Sequence, residues 1–395
     1  LLRCSKPGVC FYFYAKFFSL ELAQFSPISR NSLLLRSLQT VLTVLLIFLF
    51  LLALELITIG GHQLGENFAQ QIIRITARPF PALFIGMLAT AIIQSSSTIT
   101  SSIVAMVASG VLSLEAAIPM VMGSNIGTCV TSVLVAFGNL GTPKAFRRGF
   151  TTASSHVLFN IISALLFLPL EMKTGVLAGF SKMAAARISS WSPLGEGWFL
   201  FRAVFLEPSA RFLESLSFGQ PMVMLAFAFI LLFICIFSLT SLFRYLIAGE
   251  PGVRRITSAL RKPHLSLLSG IGLTAVIHSS SVTTSGAVML AATEKLSSKK
   301  LFPFIIGANL GTTVTALIAA IGKSEAALAI ALCHFLFNLA GVLIFYPFPG
   351  LRRIPYQMAR WTGIMANQYI WFAFAYTLLL FFALPFLVIF ISGKI

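Results

Sequence analysis

The sequence predicts an all-α polytopic membrane protein built from two inverted-topology repeats, each with a re-entrant helical hairpin and a broken transmembrane helix. Three observations carry this expectation. The 395 residues are 57% hydrophobic and 10% charged, with a mean hydropathy of +0.93, which leaves too little polar surface for a soluble domain. A polar pattern, Gln94-Ser95-Ser96-Ser97 followed by Gly123-Ser124-Asn125-Ile126-Gly127-Thr128, is written again as His278-Ser279-Ser280-Ser281 followed by Gly307-Ala308-Asn309-Leu310-Gly311-Thr312, every position displaced by 184. Each serine cluster interrupts an apolar segment near its middle. Gly86 and Gly270, Thr90 and Thr274, Pro119 and Pro303, and Thr131 and Thr315 keep the same displacement, and His156-Val157-Leu158-Phe159-Asn160 returns 178 residues later as His334-Phe335-Leu336-Phe337-Asn338.

The elements follow in order. A spanning helix needs about 20 apolar residues, and Val41–Ile59 supplies the first, with Arg30 and Arg36 before it. Pro81–Val111 is apolar but broken from Gln94 to Ser102, and Leu114–Gly138 reads as broken from Gly123 to Thr128. Phe150–Leu170 follows the basic turn Lys144, Arg147, Arg148. Pro221–Leu246 spans again, then come the second interrupted pair, Leu265–Ala292 and Leu301–Ile321, and finally Ala326–Phe348 and Gln368–Ile391. The domain plan is therefore an N-terminal segment (1–40), a first transmembrane repeat (41–170), an extracellular linker (171–220), a second repeat (221–348) and a C-terminal segment with one further apolar helix (349–395). The chain begins with Leu, so residues up to roughly Arg30 read as a truncated or misannotated start without a clear cleavable signal.

One serine-rich interruption is ordinary helix packing more often than not. Two at the same displacement favour re-entrant hairpins, since non-helical backbone at that depth survives only when buried in protein or lining a wet cavity. With both serine segments as hairpins the chain crosses the bilayer three times between copies, and an odd number inverts the second. Lys144/Arg147/Arg148, the connection Arg244 to Lys262, and Arg352/Arg353 then share one side, as the positive-inside rule asks.

The net charge of +17 is thus read as orientation in the bilayer, not as nucleic-acid binding. The five cysteines are scattered without metal or disulfide spacing. An enzyme reading fails because no Gly-x-Ser-x-Gly elbow occurs and a hydrolase gains nothing from two equivalent serine triplets. Duplicated polar breaks in apolar sequence are instead the mark of a secondary transporter; a channel is the competing class, since half-helices also line pores.

A hairpin tip presents the start of a half-helix, with free N–H groups and the positive end of its dipole, to whatever sits at the midplane. Two such tips, with the hydroxyls of Ser95, Ser96, Ser97, Ser279, Ser280 and Ser281, suit an anion rich in acceptor oxygens. Unwound carbonyls at the glycine clusters, the amide oxygens of Asn125 and Asn309, and the hydroxyls of Thr128, Thr131, Thr312 and Thr315 are hard oxygen ligands of the kind Na+ takes. All eleven acidic residues are Glu, so the cation is balanced by the anion itself. Burying the pair is far less costly than burying either charge alone, which is a physical basis for coupling.

The pairing of Gln94-Ser95-Ser96-Ser97-Thr98 with Gly123–Thr128, the turn Phe146-Arg147-Arg148 and the run from Ala331 to Pro349 resemble the type II sodium–phosphate cotransporters, over about Val41 to Phe381. The resemblance implies Na+-driven uptake of inorganic phosphate across the plasma membrane, with the serine motifs as substrate site. Gln94, Thr98 and His278 complete the expected Na+ set, and no cofactor beyond the coupling ion is expected. Another oxyanion, such as sulfate or a dicarboxylate, is the alternative among transporters.

The departures matter. Charge-moving members of the family carry Asp where this chain has Val157, and a second family acid is replaced by Thr142. Transport is therefore expected to be electroneutral, two Na+ per divalent phosphate. The linker lacks the family's usual cysteines and glycosylation sites, which points to a bacterial or otherwise simple member, with a bacterial inner membrane as the expected location. His156 and His334 read as shared structural hydrogen bonds. Glu55, the one acid deep in an apolar helix, is functional by default but lies outside the repeated motifs.

Overall fold

Hydrocarbon offers no hydrogen-bond partner, so an apolar chain must satisfy its backbone inside helices. The computed structural model describes residues 33–63, 76, 78–190, 201–215, 217, 220–247, 260–293 and 296–392, and every element among them is helical. Most of the N-terminal segment 1–40, part of the linker, and most of the basic connection after Arg244 lie outside the described residues.

Helix α1 (Leu33–Gln63) precedes the half-helices α2 (Pro79–Ile93) and α3 (Ser96–Ala108), then α4 (Leu114–Phe137), α5 (Pro143–Thr174) and α6 (Val176–Ser190). A π-helical turn (Arg202–Leu206) leads into α7 (Glu207–Ser215). The second series is α8 (Pro221–Ile247), the half-helices α9 (Pro263–Ile277) and α10 (Ser280–Ala292), α11 (Ser298–Ala320), α12 (Glu325–Phe345) and α13 (Pro349–Gln368). Then come α14 (Ile370–Leu378), a π-helical turn and α15 (Leu384–Ser392). Among the described residues six stretches are long and apolar enough to cross a membrane: Ser37–Gly61, Leu114–Phe137, Pro143–Thr174, Ser298–Ala320, Glu325–Phe345 and Ile370–Ser392.

Local chemistry sets the boundaries. Proline opens α2, α5, α9 and α13, where its missing N–H costs nothing. Ser113 and Ser324 cap α4 and α12, accepting from Ala116 N and Ala327 N at 3.3 Å. Gly175, at φ +59°, ends α5 in the left-handed conformation, and the linker resumes as helix directly after it.

The expectation of a broken helix at each Gly-x-Asn-x-Gly-Thr cluster is corrected: α4 and α11 run unbroken through Gly123–Thr128 and Gly307–Thr312. The glycines serve close approach instead. A Cβ on Gly123 would lie 1.8 Å from Leu83 O, one on Gly127 2.4 Å from Met87 O, and one on Gly86 2.0 Å from Met120 O. In the second copy Gly307 faces Leu267 O at 2.2 Å, Gly311 faces Ile271 O at 2.4 Å, and Gly270 faces Phe304 O at 2.1 Å. Backbone packs on backbone here, and unwound carbonyls do not exist as cation ligands.

The same contacts give direction. Leu83 meets Gly123 and Met87 meets Gly127, so α2 and α4 run parallel. Helix α3 starts at the far end of α2 and finishes just before α4 begins, so it must run back. Its 13 residues cover about 20 Å, the distance from Leu114 to Gly127 along α4. Each serine segment is therefore a hairpin of two half-helices.

The copies contact each other in swapped pairs: α6 packs on α12 and α13 on α5, α3 on α11 and α10 on α4. The equivalent helices α5 and α12 meet antiparallel. Phe159 is 5.5 Å from Phe345 and Phe167 5.8 Å from Phe337, while a Cβ on Gly341 would sit 3.2 Å from Oγ of its own counterpart, Ser163. Helices α1 and α8 pack together.

Candidate functional site

Each hairpin tip is set by one residue in an unusual conformation. Gln94 (φ +57°) and His278 (φ +58°) are the non-glycine residues with positive φ among the described residues, and such conformations gather at functional sites. The next residue is extended and caps the returning half-helix: Ser95 Oγ accepts from Thr98 N at 3.3 Å, and Ser279 Oγ from Val282 N at 3.4 Å. The two tips touch, because Ser97 Oγ donates to the His278 carbonyl at 2.6 Å.

The six serines expected to bind the anion thus divide by task. Ser95 and Ser279 are engaged as caps, Ser95 also sharing a 2.7 Å bond with Thr98 Oγ1, and Ser97 ties the tips. Ser96, Ser280 and Ser281 are buried, yet their hydroxyls make no hydrogen bond among the described residues. They are donors without acceptors beside the open N–H groups of α3 and α10.

The expected Na+ residues are less gathered. Asn309 Oδ1 accepts from His156 Nε2 at 2.8 Å, and Asn125 Oδ1 from His334 Nε2 at 3.2 Å. Each is a bond between copies, so the shared structural hydrogen bond expected of the two histidines is present, and both amide oxygens already have a donor. Thr128 and Thr312 donate to carbonyls one turn back, Ser124 O at 2.8 Å and Ala308 O at 3.0 Å. His278 Nδ1 bonds Thr315 Oγ1 at 3.1 Å. Thr131 Oγ1 is buried and unpartnered, and Gln94 is exposed. Among the described residues no group of three or more His, Cys, Asp or Glu is placed to hold a metal ion, so hydroxyl, amide and carbonyl oxygens are what this centre offers a cation.

Sequence reasoning missed several members. Asn160, whose Oδ1 accepts from Asn309 Nδ2 at 2.7 Å, and its counterpart Asn338 belong to the His-x-x-x-Asn repeat but were not assigned to the site. Thr90 donates to Ser124 Oγ at 2.8 Å; Ala308 removes the equivalent partner, and Thr274 Oγ1 is left buried and unpartnered. Ser132 and Thr284 bond across the copies at 2.7 Å. Glu55 lies away from this centre. Its carboxylate bonds Lys323 Nζ and, at 2.9 Å, Arg202, and Arg202 in turn approaches Glu207 at 3.4 Å. Burial pulls the Lys323 ammonium below its ordinary range, against the opposing pull of Glu55. Val157 is fully buried beside His156.

Paired half-helix hairpins meeting at a buried, hydroxyl-rich centre, among helices of membrane-crossing length, define an all-α polytopic membrane protein. The chain belongs to the Na+/Pi-cotransporter family, which it matches over residues 49–190 and 222–349, the gap falling between α6 and α8. It is similar to sodium-dependent phosphate transport protein 2A of Mus musculus (31% identity, 88% of this chain and 66% of that one) and of Ovis aries (30%, 86% and 65%). It is also similar to protein 2B of Homo sapiens (27%, 86% and 63%). The chain therefore spans just under two thirds of the length of these relatives. No solved structure matches it. The family is one of transporters, not enzymes.

Proposed function

We propose that this chain is a Na+-coupled cotransporter of inorganic phosphate in the plasma membrane, a bacterial inner membrane, built from two repeats of inverted topology. The observation that carries the reading is the tip-to-tip contact of Ser97 with His278, which brings two serine clusters and two half-helix N-termini together. The antiparallel meeting of α5 with α12 supports the inversion. Ser96, Ser280 and Ser281 donate to phosphate oxygens, and hydroxyl and amide oxygens around Thr98, Thr131, Asn125 and Asn309 receive Na+, with Gln94 and Thr128, Thr312, Thr315 and His278 nearby. The names of the relatives support phosphate and sodium as the transported pair.

Ser96→Ala and Ser280→Ala are expected to weaken phosphate uptake without loss of folding. Each removes a hydroxyl donor to a buried anion, worth about 1–3 kcal/mol or roughly 5- to 150-fold in affinity. Labelled-phosphate uptake by reconstituted variants checks this; uptake unchanged in both would move the site elsewhere.

Transport is electroneutral in this reading. Slightly above neutral pH the dominant phosphate species is divalent, so two Na+ make a neutral complex. A third needs a compensating carboxylate, and neither Val157 nor Thr142 is one. Glu55 cannot substitute, being already paired with Lys323 and Arg202. An unbalanced cation in a dry site would cost several kcal/mol. Phosphate-induced current under voltage clamp should be absent, and Val157→Asp should introduce one; a robust current in the parent protein contradicts the two-Na+ scheme.

A further inference from the structure

Equivalent side chains of the two copies are not equivalently bonded. Around the second tip Asn309 Nδ2 donates to Asn160 Oδ1 at 2.7 Å, His278 Nδ1 bonds Thr315 Oγ1 at 3.1 Å, and Ser97 Oγ donates to the His278 carbonyl at 2.6 Å. The counterparts are Asn125 with Asn338, Gln94 with Thr131, and Ser281 with the Gln94 carbonyl. All three pairs have the donors and acceptors to bond. None does: Asn125 Nδ2, Asn338 Oδ1 and Thr131 Oγ1 are buried without a partner, and Ser281 makes no hydrogen bond among the described residues. The bond from each histidine to the asparagine of the other copy is kept on both sides but is longer here, 3.2 Å from His334 to Asn125 against 2.8 Å from His156 to Asn309.

The asparagine pair and the two bonds of His278 are closed around one tip and their counterparts open around the other, although Asn125 and Asn338 are only 3% and 1% exposed. Buried amides are seldom left unpaired without a reason. We infer that the asparagine pairs Asn160–Asn309 and Asn125–Asn338 are two exchanging latches, one closed while the other is open, and that their exchange accompanies the switch of the site from one face of the membrane to the other. In a protein of two inverted copies, trading the conformations of the copies yields a second state facing the opposite way, and each latch has its mirror partner already in place. Asn160 and Asn338 are positioning residues; with Asn309 and Asn125, whose oxygens also face the cation in the reading above, they hold the helices α4, α5, α11 and α12 in one of two arrangements around the tips. The inference rests on the transporter reading above in taking the two copies as inverted and the centre as alternately accessible.

Paired cysteines test it, in a chain carrying Cys129→Ser and Cys333→Ser, reconstituted in proteoliposomes, with cross-links read by mass spectrometry of the digested chain. Asn160→Cys/Asn309→Cys should cross-link readily at rest. Asn125→Cys/Asn338→Cys should cross-link several-fold more when Na+ or Na+ with phosphate is supplied. A second pair that never links under conditions where the first does overturns the exchange and leaves the open latch a fixed water-filled gap. As a check free of cysteine, Asn160→Ala and Asn338→Ala should shift the half-saturation for phosphate, measured from each face, in opposite directions, because apparent affinity falls with the population of the competent state. Shifts of the same sign in both variants also overturn it. If the parent takes up no phosphate, the substrate assignment fails, while the cross-links in Na+ alone still decide the latches.

Discussion

Gly270→Ala is expected to abolish folded protein, while Gly272→Ala, two residues along the same helix, leaves it intact. A Cβ at 270 would stand 2.1 Å from Phe304 O and 2.9 Å from Ala308 N, both backbone atoms, whereas one at 272 meets nothing within 4 Å. Overpacking costs about 1–3 kcal/mol when side chains can move and more when they cannot. Here α9 would have to part from α11, with which it makes the most extensive contact of the second copy. At 272 the change removes only glycine's penalty in a helix, a gain of roughly 0.5–1 kcal/mol. Size-exclusion profiles and thermal melting of the two variants check it; equal behaviour would show that α9 and α11 are not in backbone contact.

Glu55→Gln is expected to destabilise by about 3–5 kcal/mol, the usual cost of stranding one member of a buried ion pair. Glu55 and Lys323 side chains are 6% and 9% exposed, whereas Arg202, the second partner of Glu55, is 38% exposed and contributes less. The pair ties α1 to the turn between α11 and α12. Replacing both, as Glu55→Leu with Lys323→Met, should recover most of the loss, because well-packed apolar residues of similar volume often match a buried pair. Thermal unfolding in detergent distinguishes these; a single variant as stable as the parent would mean that the carboxylate is hydrated.

What the residues disclosed, and what they withheld, follows from the range of the interactions. The hairpins were legible because a polar cluster in apolar sequence has few explanations, and its repetition at one displacement leaves fewer. The glycine clusters were misread because glycine serves both a break and a close approach, and only the opposing carbonyls of Leu83 and Leu267 decide between them. The histidines were legible as structural; that each would reach an asparagine of the other copy was not, since the partner lies 153 or 209 residues away. Glu55 posed the same difficulty, its partner being 268 residues distant. Helix α13 was not foreseen as an element. Its buried stripe is Pro355, Ala359, Thr362, Gly363 and Ala366, small residues that carry no hydropathy signal, although they fall at helical spacing.

The uptake of labelled phosphate into proteoliposomes under an inward Na+ gradient tests the central claim most directly. The account predicts saturable accumulation that disappears when K+ replaces Na+, is unaffected by excess sulfate, and is lost together with folding-neutral changes at Ser96 and Ser280. Accumulation of equal size in K+, or sulfate competing as well as phosphate itself, would contradict it.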